Sequence, residues 1–142
     1  ILDNNLGSRN GVLPSVCDNI SAACLGSDLI TTLTPSIKPY LGQSHIKDSV
    51  HINAVGADAE GKRELERSIW MKSTLVVDDY EQAVHSGEAQ YVPDVPHMTL
   101  GKVLTQCNTL YTHKATVFDS TGLAIEDIAI GKFIYEEYCK RN

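Results

Sequence analysis

The sequence lacks any run of apolar residues approaching the roughly 20 that a membrane-spanning helix requires. It has no lysine- or arginine-rich stretch, and its net charge is −6. Nucleic acid and anionic membrane both call for a basic face, so neither is expected as a partner. The four cysteines, Cys17, Cys24, Cys107 and Cys139, make no Cys-x-x-Cys pair. The five histidines, at positions 45, 51, 85, 97 and 113, show no metal-ligand spacing. A zinc centre needs clustered ligands and a disulfide framework needs a small secreted context. The expectation is therefore no metal, and isolated thiols in a reducing cytoplasm. The first residues, Ile1 to Asn5, carry neither a basic region nor an apolar core, so no secretory signal is expected. They include no initiating methionine, which points to a chain that begins further upstream.

What is present suits a folded domain. A chain of 142 residues buries roughly 70% of its unfolded surface, and a 42% hydrophobic and 21% charged composition is ordinary for a globular protein. Residues 1–11 read as an irregular segment. Val12 to Val16 reads as a short edge strand, where Pro14 is tolerated. Asn19 to Leu25 suggests a short helix capped by Asp18 or Asn19. The β-branched run Leu29 to Leu33, stopped by Thr34-Pro35-Ser36, predicts a strand, as do Val50 to Val55, Leu75 to Val77 and Thr116 to Phe118. Helical spacing is found over Glu64 to Met71, with Leu65, Ile69 and Trp70 facing inward. A second helix over Asp79 to Ser86 closes at Gly87. Pro93 to Pro96 reads as a loop, and Thr99 to Leu104 as a helix that Thr99 can cap. A long helix over Leu123 to Tyr138 has Ile125, Ile128, Ala129, Phe133 and Ile134 available for burial. Apolar strands alternating with helices argue an α/β fold whose parallel sheet is covered on both faces.

Two segments stand out, Asn53 to Leu65 and Val117 to Asp127. Each runs from a buried strand through a glycine-bearing loop into a helix, the junction where open α/β sheets bind ligands. Asp58 lies on the first loop, where Gly56 and Gly61 permit tight turns. A carboxylate there accepts a proton from a substrate amine or positions a water, or else is an ordinary surface or capping aspartate. Lys62 meets a phosphate, pairs with Asp58, or is simply solvated. Glu64 begins the predicted helix, where the macrodipole favours a negative charge, and a structural role suffices for it. Thr34 and Ser36 offer hydroxyls to a ribose or carboxamide, or cap the next turn. Ser120, Thr121 and Gly122 present backbone N–H groups and hydroxyls at the start of the last helix. Glu126 and Asp127 suit the first helical turn, and His51 reads as a sheet-face or core histidine.

In order, the motifs are Thr32 to Ser36 (T-x-T-P-S), His51 to Leu65 (H-I-N-A-V-G-A-D-x-x-G-K-x-E-L), Val77 to Glu88 (V-D-D-x-E-Q-A-x-x-x-G-E), Thr99 to Leu104 (T-L-G-x-V-L) and Thr116 to Asp127 (T-V-F-D-S-T-G-L-A-I-E-D). Over roughly residues 15–139 this series resembles the ornithine cyclodeaminase/μ-crystallin family, which includes archaeal-type alanine dehydrogenases. The resemblance implies an NAD(P)-dependent homodimeric enzyme, with NAD favoured, acting on an amino acid or cyclic imine. It implies that Asp58 is the catalytic acid/base and touches substrate. It further implies that Thr34, Asn53, Ala54, Val55, Lys62 and Ser120 contact the cofactor, and that Thr121 falls beside the substrate. Retention of Asp58 places the chain nearer the cyclodeaminase and alanine dehydrogenase branches than the μ-crystallin branch. The implied reaction is hydride transfer from the substrate Cα to give an imine, followed by hydrolysis, or by cyclisation with loss of ammonia.

The family's substrate-binding arginine and lysine and its glycine-rich pyrophosphate fingerprint, G-x-G-x-x-G, have no counterpart in this sequence. The expected architecture is therefore the C-terminal half of a Rossmann-type sheet, with residues 12–122 a partial NAD(P)-binding domain. Residues 123–142 would be a helix returning to a substrate and dimerisation domain that this chain does not include. Two roles remain open on that basis. One is part of a complete enzyme, associated with the missing N-terminal half. The other is a truncated, inactive family member that serves as a binding or scaffold protein.

Overall fold

A computed structural model describes residues 14–106 and 114–141 of the chain. Short runs of isoleucine, valine, leucine and threonine, which fit a pleated, half-buried surface, form β1 (Leu29–Thr32) and β3 (Thr74–Val77), and the mixed run His-Ile-Asn-Ala forms β2 (His51–Ala54), with Ile52 and Ala54 buried. They are followed by a three-residue β4 (His97–Thr99) and by β5 (Thr116–Asp119). The helices are α1 (Ile20–Cys24), α2 (Arg67–Trp70), α3 (Tyr80–Ser86), α4 (Leu100–Thr105) and α5 (Ala124–Arg141). The strands make one five-stranded sheet in the order β1-β2-β5-β3-β4, and every neighbouring pair is parallel.

The register sets which side chains share a face. Ile30, Ile52, Val117 and Leu75 lie in one row, and Thr32, Ala54, Asp119 and Val77 in a second row two residues on. Both rows are buried, and their apolar members pack with Leu41, Ile46, Ile69, Trp70 and Ala83. Each fully buried Ile, Leu or Val there contributes about 1.5–3 kcal/mol over its exposed state. The opposite face is only partly covered. Leu29 and Thr31 on β1 are exposed and His51, Asn53 and Phe118 half-buried, while α4 lies toward the β3–β4 side. The expected sheet covered on both faces is thus realised on one face among the described residues.

Several local expectations change. Pro14 to Val16 form no strand, and Val12 and Leu13 lie outside the described residues, as do residues 1–11. The helix expected from Glu64 starts only at Arg67, because Leu65 instead forms a parallel bridge with Leu41. Leu65, Ile69 and Trp70 are nevertheless buried. His97 to Thr99 pair with Leu75 to Val77 as a strand that three residues were too few to announce. Thr99 ends that strand and makes no side-chain cap for α4. Asn19 caps α1 through Ala22 N–H at 2.9 Å, and Asp79 caps α3 through Gln82 N–H at 2.9 Å. Gly87 closes α3 without a left-handed backbone, since its φ is −85°. Its requirement is space, because a Cβ would sit 2.7 Å from Asp119 Oδ2 and from Thr121 Cγ2. No residue of α5 is buried: Ile125, Ile128, Phe133 and Ile134 are 60–66% exposed, and nothing among the described residues packs over them.

Candidate active site

Parallel strands present all their carboxyl ends at one edge, so the loops after β1, β2, β3 and β5 gather there. Carboxylates fasten these loops together. Glu64, fully buried, stands between the loops after β1 and β2. Its Oε1 accepts from Thr34 N–H at 2.6 Å, Thr34 Oγ1 at 2.7 Å and Tyr40 O–H at 2.8 Å. Its Oε2 accepts from Gly56 N–H at 3.1 Å. Burial works against the charge on Glu64, but this set of donors prevails and holds its pKa below the ordinary glutamate value. Burial, reinforced by the Glu64 carboxylate and opposed by the hydrogen bond from Thr34, raises the Tyr40 hydroxyl to about 12.

Behind Glu64 the pattern repeats. Glu88, also fully buried, accepts through Oε1 from Glu64 N–H and from Leu65 N–H at 3.1 Å. Asp119, at the end of β5, accepts from Glu88 N–H at 3.1 Å and Ala89 N–H at 2.8 Å. Asp78, just past β3, accepts from Thr121 N–H at 2.6 Å, Gly122 N–H at 3.0 Å and the Thr121 hydroxyl at 3.1 Å. Burial pushes Glu88 up to about 8 and Asp119 up to about 7, against the lowering effect of the backbone N–H groups each accepts. Adjacent carboxylates push the same way. Each bond ties one loop to the next, so the whole edge is set by carboxylate acceptors on backbone donors.

Asp58 projects from the loop after β2, exposed, with its carboxylate on the Lys62 ammonium. The hydrogen bond from Lys62 lowers the Asp58 pKa. Gln90 pins the far side of that loop, accepting from Gly61 N–H at 3.1 Å and donating to Lys62 C=O at 3.4 Å. Of the sequence-predicted residues, Thr34 meets the β2 loop through Glu64. Val55 N–H donates to Thr32 C=O at 3.0 Å, and Ser120 N–H to Ala54 C=O at 2.9 Å, which joins the ends of β1, β2 and β5. Asn53 lies on the open sheet face, with its Oδ1 3.0 Å from His51 Nε2. His51 also meets Thr116 Oγ1 at 2.7 Å, as a sheet-face histidine does. Thr121 is buried with its hydroxyl on Asp78.

Sequence reasoning missed the roles of Glu88, Asp119, Asp78 and Tyr40, and placed Glu64 on a helix it does not begin. The available signal was position. Asp78 and Asp119 follow apolar strand residues directly, where a solvated acid is out of place. No group of three or more His, Cys, Asp or Glu among the described residues is arranged to hold a metal ion.

The all-parallel sheet and its tied edge define a Rossmann-type half-domain. The chain belongs to the ornithine cyclodeaminase/mu-crystallin family, whose profile matches residues 5–142. The alanine dehydrogenase of Archaeoglobus fulgidus is 42% identical over 125 residues, covering 81% of this chain and 38% of that protein. The ketimine reductase mu-crystallin of Rattus norvegicus is 35% identical over 124 residues, covering 87% of this chain and 40% of its own length. Among solved structures, an archaeal alanine dehydrogenase dimer with bound NAD superposes with a TM-score of 0.78 at 38% identity. It is matched over 87% of this chain and 41% of its own. The chain therefore spans about two-fifths of the length of these relatives.

Proposed function

We propose that this chain supplies the nicotinamide end and the proton-transfer residue of an NAD(P)-dependent enzyme acting on an amino acid or cyclic imine, with NAD the favoured form. The observation that carries the reading is the convergence of the β1, β2 and β5 loop ends beside an exposed, lysine-paired Asp58. The residues there, Thr34, Asn53, Ala54, Val55 and Ser120, are all uncharged. The N–H groups of Thr34, Val55 and Ser120 are used within the edge itself, so the Asn53 amide and the Ser120 hydroxyl are the polar side-chain groups left for a ligand. That chemistry fits an uncharged carboxamide and ribose. It does not fit a pyrophosphate, which a glycine-rich helix N-terminus would hold. A bound nicotinamide supplies the hydride acceptor or donor.

Asp58, held ionised, takes a proton from the substrate nitrogen in one direction and returns it in the other. Lys62 orients Asp58 and keeps it charged. Asp78 fixes Thr121 at the mouth of the β5 loop, next to the place proposed for substrate. Whether the imine is then hydrolysed or closed by a distal amine with loss of ammonia depends on which substrate is gripped by residues outside this chain. The arrangement as a homodimer, with α5 returning to a substrate and dimerisation domain, belongs to the same proposal. It draws support from the exposed apolar residues of α5.

The test is Asp58→Asn in the full-length polypeptide. It is expected to lower turnover by about a hundred- to ten-thousandfold while leaving cofactor affinity nearly unchanged; retained turnover would remove Asp58 from the role. A second reading, a non-catalytic binding protein, rests on the same exposed helix. It predicts that the full-length polypeptide fails to bind NAD(H) by fluorescence titration.

A further inference from the structure

Glu64 is anomalous for a buried acid. Its two oxygens accept from two backbone N–H groups and two hydroxyls, at 2.6–3.1 Å. A carboxylate offers about four acceptor sites and becomes a donor only when protonated. With donors on every site, the geometry is that of the ionised group. Among the described residues it has no lysine, arginine or histidine within ion-pair distance. The ammonium on the same loop, Lys62, is taken by Asp58. The carboxylates behind it lie on the Glu88 and Asp119 side of the edge, and Asp78 lies beyond β5 on the β3 side. An uncompensated negative charge is thus fixed between the loops after β1 and β2.

Resting on the reading of those loops as the nicotinamide end, we infer that Glu64 sets the balance between the two redox forms of the cofactor, favouring the oxidised one through its charge. The oxidised nicotinamide ring carries a positive charge and the reduced ring none. A carboxylate fixed and buried beside the ring position attracts the first and has no net charge to act on in the second. The neutral hydrogen bonds around Glu64 position the loops for both forms alike. Charge and position therefore separate in measurement. Gly56 shows how closely the carboxylate is seated, because a Cβ there would lie 2.5 Å from Glu64 Oε1 and Oε2.

The experiment uses the full-length polypeptide and compares dissociation constants for NAD+ and NADH by fluorescence titration. Glu64→Gln is expected to weaken NAD+ relative to NADH on the order of tenfold. Tyr40→Phe, which removes one neutral donor and keeps the charge, is expected to move both constants together. Should Glu64→Gln not fold, the unaltered protein is titrated with benzamide adenine dinucleotide, an isostere of NAD+ without the ring charge. It is expected to bind several-fold more weakly than NAD+. A Gln variant that binds both forms at an unchanged ratio overturns the inference and leaves the nicotinamide reading standing, as does equal affinity for NAD+ and its uncharged isostere. If the unaltered protein binds neither NAD+ nor NADH, the nicotinamide reading fails and the inference with it.

Discussion

At Asp58 the decisive neighbour is Lys62. An exposed ion pair of this kind contributes little to folding, about 0–1 kcal/mol. Its weight is chemical: the lysine keeps Asp58 ionised below the usual carboxylate range. Removing a partner that stabilises the charged form raises a carboxyl pKa. Lys62→Ala should therefore move the acid limb of the kcat/KM profile to higher pH, which a pH–rate series measures directly. An unmoved limb would detach that limb from Asp58. Gly56 is constrained from the other side, by Glu64. The carboxylate that an added methyl would strike is fully buried and held by four donors, so it cannot swing away. Gly56→Ala is expected to destabilise the fold by about 1–3 kcal/mol in urea denaturation, and a neutral result would show that Glu64 is free to repack.

The connected loops at the sheet edge carry the pH dependence of stability. Glu88 and Asp119 have folded pKa values of about 8 and about 7, above those of the unfolded chain. The folded state then binds the proton more tightly, so this contribution is complete below about pH 4 and is lost as pH rises through 7 and 8. Glu64 and Asp58 have the opposite sign, and their contributions are lost on acidification. The cleanest window lies between about pH 5.5 and 8.5, where thermal stability should fall as pH rises. Glu88→Gln should flatten that slope even where it lowers absolute stability, and an equally steep slope would assign the effect elsewhere.

These elements also show what a sequence discloses. The runs at Leu29, His51, Leu75 and Thr116 are legible because short stretches rich in β-branched residues fit the pleated surface of a strand. The loop bearing Asp58 is legible because its motif is long and ordered. Glu88 and Asp119 are not, since an acid is ordinarily solvated and only the tertiary fold says which backbone donors enclose it. The β4 strand fails for a related reason. Three residues between Pro96 and a helix carry no periodicity, and their pairing with Leu75 to Val77 is a fact of the sheet.

For the whole molecule, the distribution of apolar surface is uneven. One sheet face is packed, while Leu29, Leu33, Ile37 and a series along α5 from Ile125 to Tyr138 are exposed. Surface of that kind seeks cover. The 142-residue chain purified alone is expected to self-associate, giving a mass above 15.5 kDa in light scattering. A stable monomer across a hundredfold dilution would contradict this.

The sheet order has a consequence in time. Among the described strands β5 is the last made, yet it lies between β2 and β3, and the bond from His51 to Thr116 spans 65 residues. Until the ribosome has released Thr116 to Asp119, this part of the nascent chain holds two unjoined strand pairs, β1–β2 and β3–β4. Isolated pairs are marginal in water, and non-local closure is slow. A translational pause before Thr116 would leave two unjoined pairs of parallel strands exposed to chaperones and proteases until β5 arrives to join them.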